Sequence, residues 1–107
     1  MSESIKYDPF SDIDVTLKFN SGTDISITGF DVFDEIKGVV WTSNFPKNDL
    51  TLNISASEIT FTITNEMTAQ MYGDVFVNMI YKIGEKQYSM TYPLNIFITK
   101  KTWQSKL

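Results

Sequence analysis

The sequence predicts an all-β protein, an antiparallel two-sheet sandwich of about seven strands with one short helical turn. Three observations carry that prediction. Apolar and polar residues alternate in segment after segment, turn residues punctuate the segments at short intervals, and a single stretch switches to a helical period. A small barrel is the alternative way to close the same strands. With 107 residues, 42% hydrophobic and 14% aromatic, the chain can fill one modest core without staples, which predicts a single domain. Short arms, residues 1–11 and 101–107, lie outside the alternation.

The elements follow in order. Ile13, Val15, Leu17 and Phe19 alternate with Asp14, Thr16 and Lys18, a half-buried strand ended by Asn20-Ser21-Gly22. Ile25 and Ile27 give a short second strand, closed by Gly29. Glu35 to Thr42 forms a third, in which Gly38 marks a bulge or a close backbone approach. Phe45-Pro46-Lys47-Asn48-Asp49 reads as a loop. Leu50, Leu52 and Ile54 alternate, as do Ile59, Phe61 and Ile63. Met67 and Met71 are spaced i, i+4 within Asn65 to Tyr72, where Thr64 or Asn65 can cap and Gly73 can terminate, so one or two helical turns are expected. Val75, Val77, Met79, Tyr81 and Ile83 share one strand face, and Phe76 with Ile80 makes the other face partly apolar, the mark of a mid-sheet strand. Gly84-Glu85 is the glycine-first pattern of a type II′ hairpin. The return strand carries Tyr88, Met90, Tyr92, Leu94, Ile96 and Ile98 on one face, and Pro93 requires an edge or a bulge.

Composition excludes several function classes. The net charge is −4 and every basic residue is lysine, so the chain repels phosphate backbones and lacks the arginine forks that grip them; no nucleic-acid partner is expected. The sequence contains no histidine and no cysteine, which removes Ser-His-Asp and Cys-His triads, thiolate chemistry and the usual zinc ligands. No disulfide framework exists, so redox chemistry fixes no compartment. The opening Met1-Ser2-Glu3-Ser4 is unlike a signal peptide, and no apolar run approaches the ~20 residues of a membrane span, so neither export by that route nor a membrane anchor is expected.

Carboxylates are the remaining reactive groups. Asp31, Asp34 and Glu35 lie close together, and Asp12 and Asp14 share a strand face. A glycosidase needs two carboxylates across a cleft, for which a domain this small has little room, so a solvated acidic loop is the favoured reading and no enzyme is expected. The Asp31 to Glu35 turn is a weak calcium candidate, lacking the ligand pattern of an EF-hand. No cofactor is expected. Asn53-Ile54-Ser55 matches a glycosylation sequon, and Lys100-Lys101 reads as a charged strand end that discourages edge pairing. The aromatic content is the more informative feature. Trp41, Phe45, Phe76, Tyr88, Tyr92 and Trp103 are candidate interaction residues. Aromatics dominate cores, and an excess beyond one sheet interior can form a patch that a partner covers. Tyr7-Asp8-Pro9-Phe10 and Trp103, in the arms, suggest docking onto their own domain or onto a neighbour.

From Ile59 through Thr102 the chain resembles small tail-associated proteins of tailed bacteriophages and prophages, including the immunoglobulin-like N-terminal domains of upper baseplate proteins. The residues that carry the resemblance are the strand Ile59, Phe61, Ile63, then a helical turn with Thr68 and Ala69, and Gly73. The strand Val75, Val77, Met79, Tyr81 and a Gly-turn hairpin follow, closing through Tyr88-Ser89 to Ile96, Ile98 and Thr99. Asp24-Ile25-Ser26-Ile27 and Val39-Val40-Trp41-Thr42 add paired strands. The resemblance implies an immunoglobulin-like sandwich with no catalytic residues. It further implies a virion or tail-assembly structural protein that acts through contacts with itself or with other virion components, in the bacterial host cytoplasm during assembly. The alternative expectation is a carbohydrate- or small-ligand-binding sandwich, with Trp41 or Tyr92 near Asp31 and Asp34.

Overall fold

A computed structural model describes residues 4–20 and 27–100. The chain folds as a two-sheet sandwich. Its elements are β1 (Ile5–Tyr7), β2 (Ile13–Lys18), a 3-10 turn (Phe30–Val32), β3 (Glu35–Thr42), β4 (Phe45–Asp49), β5 (Asn53–Ile54), β6 (Glu58–Ile63), the helical turn α1 (Asn65–Thr68), β7 (Gly73–Ile83) and β8 (Lys86–Ile98). The larger sheet has five strands in the order β1-β8-β7-β3-β4, and the smaller has three in the order β2-β6-β5. All neighbours are antiparallel except β1, which lies parallel to β8 with Ile5 opposite Ile96 and Tyr7 opposite Ile98. The pairing of β2, β6 and β5 against β8, β7 and β3 is the strand arrangement of an immunoglobulin-like sandwich.

The alternation read from the sequence is what closes the core. Ile59, Phe61 and Ile63 of β6 are buried, as are Val75, Val77, Met79 and Tyr81 of β7 and Ile96 and Ile98 of β8. Ile13 is buried opposite Ile63, and Val15 and Leu17 follow it, partly buried, opposite Phe61 and Ile59. Gly38 is a close approach, with no break in its register: it sits opposite Met79, and a Cβ there would lie 2.9 Å from the Met79 Sδ. The hairpin turn behaves as expected, because Gly84 has φ 59° while Glu85 is not in the positive-φ region, the signature of a type II′ turn.

Two expectations change, and two left open by the sequence are resolved. Residues Phe45–Asp49, expected as a loop, form the edge strand β4, in which Phe45 is buried at 5% exposure and belongs to the core. The run Leu50 to Ile54 is a strand only at Asn53–Ile54, with Leu50 and Leu52 packed against the core from irregular backbone. The helix is one turn long, capped by the Thr64 hydroxyl accepting from the Met67 N–H and by Asp12 Oδ1 accepting from the Asn65 N–H at 2.7 Å. The N-terminal arm docks on its own domain as β1, the parallel neighbour of β8. The expected strand at Ile25 and Ile27 falls mostly outside the described residues, and Ile27 itself is not in a strand.

Pro93 sits at a bulge. Phe76 pairs with Pro93 and Asp74 with Phe97, so β8 carries two more residues than β7 across that interval, and Asn95 takes φ 58° to accommodate them. The bulge divides β8 into a proximal part, flanked by β1, and a distal part that continues to the hairpin tip.

Candidate interaction surface

The distal part of β8 is, among the described residues, one of the sheet edges left without a neighbouring strand. Among the described residues, β1 covers β8 only from Ile96 to Ile98, while β7 pairs along the opposite side down to Lys86. The register fixes which groups face the open side. A two-residue loop closes on the hydrogen-bonded pair Ile83–Lys86, and antiparallel pairs alternate from there. Lys86, Tyr88, Met90 and Tyr92 therefore exchange hydrogen bonds with β7. Gln87, Ser89 and Thr91 aim their N–H and C=O groups outward, and so does the C=O of Pro93. The position of the proline agrees, since its missing N–H would have pointed away from β7.

The side chains of this edge are uncharged. From Gln87 to Thr99 no acid or lysine occurs. Tyr88 and Met90, on the face that continues the core, are 38% and 49% exposed. The described residues thus leave the inner face of the hairpin tip partly uncovered.

Aromatic packing backs that tip. Phe33 packs against Tyr81 with ring centroids 5.0 Å apart and meets the edge of Tyr88 at 6.5 Å. The Phe30 and Tyr81 rings are parallel at 6.1 Å, with Phe19 edge-on to Phe30 at 5.2 Å. The hydroxyls of Tyr81 and Tyr92 share a hydrogen bond of 2.8 Å, and the Tyr92 hydroxyl also donates to the Met90 Sδ at 3.3 Å. Burial pushes the Tyr81 phenol far above its ordinary range, and the hydrogen bond with Tyr92 adds to the shift. The loop before β3 is tied to the same tip: Asp34 Oδ2 accepts from the Gly84 N–H at 2.8 Å, and the Asp34 N–H donates to the Lys82 carbonyl at 2.7 Å.

The other candidate residues separate from this site. Trp41 and Phe76 stack at 4.7 Å on the outer face of the large sheet, and the Trp41 Nε1 donates to Asn78 Oδ1 at 2.8 Å. Trp41 neighbours the buried Val40 on the same strand, whereas Tyr92 lies opposite the buried Val77. Strand alternation thus puts Trp41 and Tyr92 on opposite faces, and they cannot line one sugar site. Phe45 is core, and Trp103 lies outside the described residues. Of the six, Tyr88 and Tyr92 come together, joined by Met90.

Four of the five acids singled out above, Asp12, Asp14, Asp34 and Glu35, are engaged in structural contacts. Asp12 caps α1, Asp14 accepts from the Thr62 hydroxyl at 2.6 Å, and Asp34 holds the hairpin turn. Glu35 lies between Lys37 at 3.4 Å and Lys82 at 3.5 Å; its carboxyl is held below the usual value chiefly by the Lys37 hydrogen bond. Among the described residues no group of three or more potential ligands is placed to hold a metal ion. Between the sheets, Ile36, Gly38, Leu50, Leu52 and Ile54 line an open groove of about 370 Å³ beside Lys37 and Asp49. Among the described residues no helix is long and apolar enough to cross a membrane.

Comparison with known proteins found no family model matching the chain and no curated protein similar to it.

Proposed function

We propose that this protein is a non-enzymatic assembly component that works through protein–protein contacts made by the open distal edge of β8. One observation carries the reading: an uncharged strand with outward backbone donors and acceptors at Gln87, Ser89 and Thr91, flanked by the exposed Tyr88 and Met90. Soluble domains usually guard such edges with lysine, proline or a covering strand. Here the guards sit only at the ends, as Lys86 and Pro93. An edge of this kind binds an extended strand through main-chain hydrogen bonds and takes its specificity from alternate side chains. The sequence resemblance supplies the setting, assembly of a phage or prophage virion or tail in the bacterial host cytoplasm.

The test is a photo-crosslinking amino acid at Ser89, with the same group at Asp14 on the exposed face of β2 as control, in cells making the native assembly. The expected result is one discrete protein adduct from position 89 and none from position 14. Equal, diffuse labelling at both positions would argue against the reading. So would a strictly monomeric chain whose tryptophan fluorescence responds saturably to a sugar.

A further inference from the structure

We infer that the occupant of this edge is a second copy of the same chain, paired antiparallel through β8 about a two-fold axis at Met90. The inference rests on the proposed function and specifies the partner. Three features support it. First, outward hydrogen-bonding groups occur only at odd positions of distal β8, so a two-fold pairing must match odd with odd; centring on Met90 does so, with Ser89 facing Thr91 and Gln87 facing the Pro93 carbonyl of the other copy. Second, the same register sets Met90 against Met90 and Tyr88 against Tyr92 on the face that continues the core, so the two partly exposed side chains of each copy meet apolar counterparts. Third, the pairing sets no like charges opposite each other. Distal β8 is neutral from Gln87 to Leu94, and antiparallel geometry carries the Glu85 and Lys86 tips to opposite ends of the joint. A copy of this strand has the required alternation by identity, and the two large sheets become one continuous sheet across the axis.

The absence of native cysteine allows a direct test. Residues facing each other at a non-hydrogen-bonded antiparallel pair have Cα atoms about 4.5 Å apart, within disulfide reach. Met90→Cys, in the full-length chain under mild oxidation, should form a covalent dimer rapidly and nearly completely. Asp14→Cys should not. Unmodified protein should shift from one to two protomers in light scattering as concentration rises. Thr91→Pro removes an outward N–H and no bond to β7, so it should keep the native circular dichroism while weakening self-association roughly tenfold or more. A chain that stays monomeric at high concentration, with Met90→Cys cross-linking no faster than Asp14→Cys, overturns the inference. If the Ser89 probe still yields a discrete adduct of a different protein, the assembly reading stands and only the identity of the partner falls. If neither is seen, both fall.

Discussion

Replacing Tyr81 with phenylalanine tests the packing beneath the open edge, and its size can be worked out in advance. Tyr81 is 3% exposed, and its hydroxyl shares a 2.8 Å hydrogen bond with Tyr92. The substitution keeps the ring between Phe30 and Phe33 and deletes one oxygen. Tyr92 is only half-buried and retains Met90 and water as partners, so the cost belongs near the middle of the range for a lost hydrogen bond, about 1 kcal/mol at pH 7. Alkali reverses the comparison. The folded-state phenol of Tyr81 is raised above the ordinary value of 10.0. Above that pH the unfolded chain releases the proton and the folded chain keeps it. Stability from this group is therefore complete below pH 10 and declines as pH rises, by about 1.4 kcal/mol per unit once the unfolded phenol is ionised. Phenylalanine has no proton to lose. The deficit of about 1 kcal/mol for Tyr81→Phe should shrink around pH 10, vanish before pH 11 and turn slightly in favour of phenylalanine at pH 11. Urea titrations of both proteins at pH 7, 9, 10 and 11, compared at equal m-value, measure this directly. A stability difference that stays constant from pH 7 to 11 would refute the argument that this phenol is buried and neutral.

Two further substitutions test the fold. Phe45→Ala should cost about 3–4 kcal/mol in denaturant unfolding, as truncation of a buried aromatic in β4 does; a loop phenylalanine would cost under 1 kcal/mol. Thr68 is fully buried, and its hydroxyl donates to the Ser11 carbonyl at 2.8 Å, so Thr68→Val should destabilise by about 1–2 kcal/mol with no change in the folded spectrum. An unaltered unfolding midpoint would mean that this link between α1 and the segment before β2 is not formed.

Where burial is one-sided, the sequence could be read directly. β2, β6 and β7 have one face in the core and the other outward, so Ile13, Ile59 or Val77 signalled both strand and face. Edge strands carry no such signal. β4 has one core residue, Phe45, followed by Pro46 and Lys47, and its strand character comes from pairing with β3, which composition does not encode. β1 is three residues long and acquires its structure from β8, some ninety positions away. The candidate site was half legible. Tyr88 and Tyr92 stand out as aromatics, but Met90 reads as ordinary core alternation, and Phe45 and Trp41 carry the same aromatic signal while lying elsewhere in the fold. What joins Tyr88, Met90 and Tyr92 is strand order, and a linear pattern is silent on which edge of a sheet has no neighbour. One available signal, the charge-free run from Gln87 to Thr99, could have marked the unguarded strand.

The two margins of the large sheet are built differently, and the difference bounds what the protein can assemble into. The far margin carries Pro46 in β4 and the charged pair of Glu35 with Lys37 beside it on β3, both poor templates for a further strand. Growth through this sheet would use the β8 side alone, and a two-fold joint consumes that side in both participants at once. On the proposed pairing the geometry favours a closed pair over an endless fibre, because each two-fold joint leaves no second β8 edge for another copy to extend.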